Sequence, residues 1–268
     1  MDAEQDQRAG AGGEAVSAQP RFGVVVVGDE VLSGRRQDRH VPAVIERLNP
    51  RGLRLNWARM VGDDMDLLVR SLRQAREEAD AVFCFGGIGA TPDDLTREAA
   101  ARAFERPLTR HAGAEALIVK QFGDDALPHR VLMADLPEGA GLIPNAYNNV
   151  PGFSVEGLHF MPGFPRMAHA MLDWVLATHY PLIGDADYLE RAIWVFDASE
   201  NQLLDSMRDF TARYPELKLF SLPVLPSAEH PRRRIELGLK GSQAQVEQAM
   251  GELVERVQAL GFAWSEGT

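Results

Sequence analysis

The chain has 268 residues, of which 45% are hydrophobic and 25% charged, and its formal net charge is −11. This is the composition of a globular protein with room for one large or two modest domains. The acidic balance argues against a protein that coats nucleic acid through a basic face, so we expect no nucleic-acid partner. No stretch approaches transmembrane length, so we expect no membrane partner. The single cysteine, Cys84, cannot form an internal disulfide and lies in an apolar pattern, so we expect an inert core thiol in a cytoplasmic protein.

Apolar strand patterns alternate with helical ones from residue 21 onward. Residues 1–20 are rich in Ala, Gly, Gln and Glu and lack signal-peptide features, so we expect a disordered tail. The apolar runs at 22–27, 53–61 and 81–85 predict strands. Helical stripes between them comprise Val41, Val44, Ile45 and Leu48, and then Leu67, Leu68, Leu72, Ala75 and Ala79. This alternation predicts a three-layer α/β/α sandwich with a mostly parallel sheet.

Glycines and acids directly follow the first two predicted strands. The segments are Gly28-Asp29-Glu30 with Ser33-Gly34, and Gly62-Asp63-Asp64. Ligands of parallel sheets bind at the carboxyl ends of the strands, so we expect these segments to meet at one sheet edge. There the acids would contact a ligand or its metal. Helix capping would account for one of the two acids Asp63 and Asp64.

A glycine-rich loop follows the third predicted strand. It contains Gly86, Gly87, Gly89, Thr91, Asp93 and Asp94. Glycines let backbone N–H groups approach an anion, and a following helix start adds donors, so this loop predicts a phosphate pocket. Carboxylates beside a phosphate indicate a bridging divalent ion of the magnesium type. We place Asp94 on the first turn of the following helix, and we expect Gly87→Val to weaken phosphate binding with little loss of stability.

The rest of the chain predicts the end of this domain and a second, smaller one. We expect a helix near 113–122, a hairpin at 153–161 and a helix over 165–178. The first domain then comprises residues 21–182. Residues 183–268 predict a βαββα order, and hence a small α+β domain with an antiparallel sheet.

Four segments together resemble the MoaB/Mog-type molybdopterin-binding domain, and within it the competence/damage-inducible protein A branch. They are Gly28-Asp29-Glu30-Val31-Leu32-Ser33-Gly34, Val61-Gly62-Asp63-Asp64, Gly86-Gly87-Ile88-Gly89-Ala90-Thr91-Pro92-Asp93-Asp94-Leu95-Thr96 and Pro162-Gly163-Phe164-Pro165. The resemblance covers residues 21 to about 180 and continues more faintly to the C-terminus. It implies molybdopterin or a nucleotide as ligand and a homodimer or homotrimer. The segment with Gly163 starts a helix after a strand and could close over a ligand, and a rigid turn with Pro at the first helical turn explains it almost as well.

The resemblance also implies roles for two acids. In this family an acid at the position of Asp63 contacts the ligand, and the second acid of the glycine motif, here Asp94, acts in metal-assisted chemistry at phosphate. We therefore assign Asp63 and Asp94 as catalytic residues and metal ligands. Long members of the branch carry an amidohydrolase domain. We expect this chain to lack it, so that activity is not transferred.

Two departures from the family pattern stand out. His40 takes the place of the Asn in Ser-Gly-x-x-x-Asp-x-Asn, which puts ligand contact there in doubt. Segment 145–153 lacks a Gly and a Thr of the family motif, which weakens the case that this loop grips the ligand. Three hypotheses follow: a domain that binds a small phosphorylated ligand, a divalent-metal-dependent pyrophosphatase acting on ADP-ribose or a related dinucleotide, and a non-catalytic assembly module with a degenerate pocket.

Overall fold

A computed structural model describes residues 20–181 and 188–267. The chain divides into two compact units. One takes the described residues up to Val44 together with Leu55–Tyr180, and the other takes Ile45–Arg54 together with the described residues from Pro181 onward. Residues 1–19 of the predicted tail and the predicted boundary between residues 182 and 183 lie outside the described residues. None of the helices in the described ranges has the length and hydropathy needed to span a bilayer.

The first unit alternates strands with helices, as predicted. Its elements are β1 (Phe22–Val27), α1 (Asp29–Leu32), α2 (His40–Leu48, of which residues 45–48 are counted with the second unit), β2 (Leu55–Val61), α3 (Met65–Glu78), β3 (Ala81–Phe85), α4 (Thr96–Ala103), β4 (Leu108–Arg110), α5 (Ala112–Phe122), β5 (Asp135–Pro137), β6 (Gly141–Ile143), β7 (Gly152–Val155), β8 (Leu158–Met161) and α6 (Pro165–His179).

Six of the described strands of the first unit form one sheet in the order β2-β1-β3-β8-β7-β6. β1 pairs in parallel with β2 and β3, and β3 pairs in parallel with β8. β7 pairs antiparallel with β8, as the predicted hairpin, and with β6. The predicted mostly parallel sheet is therefore confirmed. Its parallel strands place the segments after β1, β2, β3 and β8 at one edge.

Alternate residues of β3 face two different helical layers. Cys84 is buried in a core with α3, α4 and α5, and this burial raises the pKa of its thiol, as expected of an inert core cysteine. Phe85 stacks on His40 of α2 with ring centroids 4.3 Å apart. Phe83 meets Tyr180, which follows α6, edge to face at 6.4 Å. Helices therefore cover both faces, which confirms the three-layer sandwich.

Two residues of the predicted apolar stripes are exposed. Ile45 in α2 and Leu67 in α3 are each 40% exposed, whereas Val44 and Leu68 beside them are fully buried. Neighbouring positions of a helix point about 100° apart, so a narrow buried face admits only one of each pair. The predicted stripes were wider than the faces that the sheet covers.

The second unit is a small α+β domain. Its elements are β9 (Tyr188–Phe196), α7 (Glu200–Arg213), β10 (Lys218–Val224), β11 (Arg234–Ser242), α8 (Gln243–Ala259) and β12 (Trp264–Glu266). The strands form an antiparallel sheet in the order β10-β11-β9-β12, so the predicted α+β class is confirmed. The short β12 was missed, because three residues carry too little pattern to predict a strand. Ser199 begins α7 in a capping box with Gln202.

Candidate functional site

A cavity of about 600 Å³ lies at the carboxyl ends of the parallel strands. Its walls come from the segments after β1, β2, β3 and β8 and from the loop before β7. The structure thus brings together the segments that the sequence placed at one sheet edge. A concave space of this size suits a small molecule that carries a ring system.

Most of the residues singled out in the sequence line this cavity. They are Gly28, Glu30, Asp63, Gly86, Gly87, Gly89, Thr91, Asp93, Asp94 and Gly163. Four others, Asp29, Ser33, Gly34 and Gly62, are not part of its lining. These four residues lie in the turns after β1 and β2, next to the residues that line the cavity. The side chains of Asp29 and Ser33 make hydrogen bonds within these turns. Ser33, for example, donates its hydroxyl to the carbonyl of Glu30 at 3.4 Å.

Gly86 and Gly87 turn the chain sharply after β3. Their φ angles are +105° and +67°, which L side chains rarely adopt. A Cβ on Gly86 would lie 2.3 Å from the carbonyl oxygen of Val27. Within the described part of the chain, the N–H groups of Gly87, Ile88 and Gly89 donate to no protein acceptor. The turn therefore offers a row of backbone donors to an anion.

Gly87 is also required by packing, which corrects one expectation. A Cβ at this position would lie 2.3 Å from the Oγ1 of Thr96, a fully buried residue at the start of α4. With the positive φ, this contact means that Gly87→Val strains the fold itself. The expectation that this substitution spares stability was wrong, because sequence alone does not show what lies beside the glycine.

Two buried residues of α4 hold the glycine loop in place. Thr96 donates its hydroxyl to the carbonyl of Gly86 at 3.0 Å. The Arg97 guanidinium donates to the carbonyl of Gly89 at 2.8 Å and to two further backbone carbonyls at 2.6 and 3.0 Å. Thr96 lay within the glycine motif but was not assigned a role, and Arg97 was missed. From sequence, an arginine at the start of an Ala-rich helix is expected to be exposed to solvent.

We had predicted that Asp94 lies on the first turn of the following helix. The structure places it instead in a turn before that helix. The helix α4 begins two residues later, at Thr96. The Oδ2 of Asp94 accepts the backbone N–H of Thr91 at 2.8 Å and its hydroxyl at 2.5 Å. A Cβ on Gly89 would lie 2.4 Å from that oxygen. The turn therefore sets the carboxylate directly against the glycine loop.

Asp29 and Asp63 tie two of the turns together. The N–H of Asp29 donates to Oδ2 of Asp63 at 3.0 Å, and the N–H of Asp63 donates to Oδ1 of Asp29 at 3.2 Å. Gly62 leaves room for this pair, since a Cβ there would lie 2.6 Å from the Asp29 carboxylate. Asp64 caps α3 by accepting the N–H of Leu67 at 2.8 Å. Of the two acids after β2, one therefore caps and the other lines the cavity.

The carboxylates at the cavity repel one another. Burial raises the pKa of Asp63 above its ordinary value, and the charges of Asp29, Glu30 and Asp93 raise it further, against the opposing hydrogen bond from the Asp29 N–H. At pH values above the ordinary aspartate pKa, the negative charge on Asp63 therefore lowers the stability of the folded protein. That cost disappears as the pH falls and the carboxyl is protonated.

We expect Asp63→Asn to raise the melting temperature slightly at neutral pH without divalent ions, and the gain to vanish near pH 3. The amide oxygen can still accept the Asp29 N–H, while the repelled charge is gone. Thermal unfolding between pH 3 and 8 measures this difference. The matched control Asp64→Asn changes the helix cap beside it and should give no such gain. A destabilised D63N variant at neutral pH would contradict the repulsion.

The cavity also has an apolar wall, which was largely missed in the sequence. It includes Ile88, Phe122, Met133, Val150, Pro151, Phe164 and Met167. These residues come from helix ends and loops, where no periodicity marks a side chain as facing a ligand. Their apolar surface next to the glycine loop suits the ring portion of a ligand.

Asn145 folds the loop that carries part of this wall. It is 5% exposed, donates its amide to Oδ1 of Asn148 at 2.8 Å and to the carbonyl of Val150 at 3.0 Å, and accepts the N–H of Tyr147. Asn145 and Asn148 both line the cavity. The loop thus reaches the site although it lacks the Gly and Thr of the family motif.

The carboxylates supply the oxygen donors that magnesium prefers in proteins. Glu30, Asp63, Asp93 and Asp94 line the cavity, and Arg36 is the one cationic side chain among its described lining residues. Among the described residues, no group of three or more His, Cys, Asp or Glu side chains is arranged to hold a metal ion. Magnesium commonly binds through one or two carboxylates together with ligand phosphates, and the donor set fits that mode.

The family model for the probable molybdopterin binding domain matches residues 23–183. The chain belongs to this family. A crystal structure titled as the protein CinA with unknown function, from Thermoplasma acidophilum, is 31% identical and has a TM-score of 0.55. The match covers 59% of this chain and 96% of that one.

Curated CinA-like proteins are also similar, one of them over most of the chain. The protein from Anaeromyxobacter dehalogenans strain 2CP-C is 34% identical over 170 residues, which is 60% of this chain and 42% of the relative. The protein from Citrifermentans bemidjiense is 30% identical over 253 residues, 91% of this chain and 59% of the relative. The predicted resemblance to the competence/damage-inducible protein A branch is thus confirmed. The matched part of this chain spans roughly half the length of these relatives.

Proposed function

We propose that the first unit binds a phosphorylated pterin or nucleotide, with the phosphate on the backbone donors of the glycine loop and the ring on the apolar wall. The observation that carries this proposal is the row of N–H groups at Gly87, Ile88 and Gly89, which find no protein acceptor within the described residues and lie in the cavity lining. Membership in the probable molybdopterin-binding family supports a pterin-type ligand.

The charge of the cavity implies a divalent cation beside the phosphate. Four carboxylates against one arginine give the lining a formal charge of −3. A phosphate placed there would be repelled unless a cation lies between it and the acids. Asp63 and Asp94 would hold such an ion together with the phosphate, and it would neutralise charge on the phosphate and polarise its oxygens.

The acids also favour a second candidate, a metal-dependent pyrophosphatase that acts on ADP-ribose or a related dinucleotide. Hydrolysis would add water across the phosphoanhydride and release two phosphomonoesters. The observation in its favour is that Asp94 lies directly against the glycine loop. A non-catalytic assembly module, the third hypothesis, requires a cavity that binds neither class of ligand.

Calorimetry with molybdopterin, AMP, ADP-ribose and FAD, with and without magnesium, tests this proposal. We expect at least one of them to bind, and magnesium to increase its affinity about tenfold or more, since a bridging ion replaces repulsion with attraction. Chromatographic detection of AMP released from ADP-ribose or FAD in the same samples separates binding from hydrolysis. Affinity that is unchanged by magnesium would contradict the bridging ion, and no binding of any ligand would favour the assembly module.

A further inference from the structure

The loop before β7 places an amide side chain beside the apolar wall of the cavity. Asn148 is partly buried and lines the cavity, together with Val150 and Met167 of that wall. It belongs to segment 145–153, in which this chain departs from the family motif. A polar side chain that the family motif does not supply therefore borders the space proposed for the ring of the ligand.

Backbone partners fix which way this amide is turned. The Oδ1 of Asn148 accepts the backbone N–H of Val150 at 3.1 Å, and a backbone N–H can only donate. The same oxygen accepts the amide of Asn145 at 2.8 Å. The amide of Asn145 is oriented in turn by the N–H of Tyr147, which donates to its Oδ1 at 3.0 Å. The oxygen of Asn148 is therefore engaged twice within its own loop.

The nitrogen of the same amide has only a weak partner. Within the described part of the chain, the Nδ2 of Asn148 meets the Sδ of Met167 at 3.8 Å. A thioether sulfur is a weak acceptor, and an amide nitrogen carries two N–H donors. Asn148 can therefore offer hydrogen-bond donors to a ligand, whereas its acceptor oxygen is already occupied.

An amide edge that only donates distinguishes between the edges of ring systems. It pairs with an acceptor such as an oxo oxygen, and it leaves a hydrogen bond unmade when it faces another donor such as an exocyclic amino group. Purines exist in both forms, because hypoxanthine and guanine carry an oxo group where adenine carries an amino group. A site built to donate at this position discriminates against the ring that cannot accept.

We infer that Asn148 is a specificity-determining residue that donates from Nδ2 to an oxo group on the ring of the ligand. The preferred nucleotides are then those of a 6-oxopurine over those of a 6-aminopurine. Apolar side chains such as Val150 and Met167 cover the face of the ring, and the amide contacts its edge. This inference rests on the proposed function, which places the ring on the apolar wall, and it is independent of the number of phosphates.

The test compares IMP and AMP by calorimetry in excess magnesium for wild type, Asn148→Asp and Asn149→Asp. The two nucleotides carry the same ribose phosphate, so the ratio of their affinities isolates the edge of the ring. In N148D one oxygen can still accept the N–H of Val150, while the donor nitrogen is replaced by an oxygen that only accepts. Asn149 lies outside the cavity lining and donates to Gln121 at 2.9 Å, so N149D adds the same charge without changing the edge that faces the ring.

We expect wild type to bind IMP about tenfold more tightly than AMP, which is the effect of about one hydrogen bond made or lost. N148D should bind AMP at least as tightly as IMP, because the new oxygen accepts from an amino group and repels an oxo group. N149D should keep the ratio of wild type. The added negative charge lowers the affinity for both nucleotides alike, and the binding stoichiometry reports the folded fraction of each protein.

The results that would overturn the inference differ in what else they remove. If wild type binds IMP and AMP equally, or if N148D keeps the preference of wild type, Asn148 does not contact the ring edge while the proposed ligand site stands. An equal change of the ratio in N149D would assign the effect to charge and also overturn the inference. If wild type binds neither nucleotide, the proposed nucleotide site fails and the inference fails with it.

Discussion

Replacing Asp94 by Asn is expected to abolish the magnesium dependence of ligand binding and most of any hydrolysis of ADP-ribose. The carboxylate lies against the glycine loop, where it would position a divalent ion beside the phosphate. Loss of the ion's contribution at phosphate costs on the order of several kcal/mol in the barrier, which is a rate reduction of about a hundredfold or more. Calorimetry and initial rates with ADP-ribose, each with and without magnesium, measure the effect.

The same substitution should leave the fold nearly intact. An Asn at this position keeps an oxygen that can accept the N–H of Thr91, so the loss of stability should stay below about 1 kcal/mol. Without magnesium, binding should persist or improve, because one negative charge beside the phosphate is gone. Asp64→Asn, an acid outside the cavity that caps α3, is the control and should keep the magnesium response. A folded D94N protein with wild-type metal dependence would show that Asp94 only closes its turn.

Gly86→Ala is expected to destabilise the first unit strongly. The methyl group would lie 2.3 Å from the carbonyl oxygen of Val27, and φ at this position is +105°. The Val27 oxygen belongs to the backbone of β1 and the new methyl group is fixed to the backbone after β3, so neither atom can move far. Positive φ costs a non-glycine residue about 1 kcal/mol, and overpacking against fixed atoms costs about 1–3 kcal/mol more. At roughly 2–4 °C per kcal/mol, thermal unfolding should show a decrease of about 10 °C.

Gly34→Ala is the matched control for the glycine at position 86. Its φ is +74°, and a Cβ there would meet nothing within 4 Å. It should therefore lose only the conformational contribution of about 1 kcal/mol. Equal losses in the two variants would show that the contact with Val27 relaxes and that the Gly86 turn is not sterically fixed.

The glycine loop uses its carbonyl groups for the fold and leaves its N–H groups for the proposed ligand. Thr96 and Arg97 hold the carbonyl groups of Gly86 and Gly89, whereas the N–H groups of Gly87, Ile88 and Gly89 donate to no protein acceptor among the described residues. Burial raises the pKa of Asp63, and the charges of the neighbouring carboxylates raise it further. A bound cation would relieve the repulsion between these carboxylates. The same repulsion that lowers the stability of the free protein therefore favours cation binding.

The sequence by itself determined the layered fold and the edge at which the site forms. Apolar runs such as Phe22–Val27 are typical of strands covered on both faces, and parallel strands send the turns that follow them to one edge. The positions of Gly28, Asp63 and Gly86 at a common cavity follow from that rule, since it depends on chain order and hydrophobic pattern alone.

Tertiary structure alone decided which residues line the cavity and which support it. Asp29 and Asp63 both follow strands, but only the packing of their turns puts Asp63 in the wall and Asp29 behind it. Arg97 and Asn145 hold loops through backbone carbonyl groups, and such contacts leave no periodic signal in the sequence. Hydrophobic periodicity indicates which face of a helix or strand is buried. A binding site at the sheet edge is formed by loops that are distant in sequence, and the distances between their side chains are set only when the chain folds.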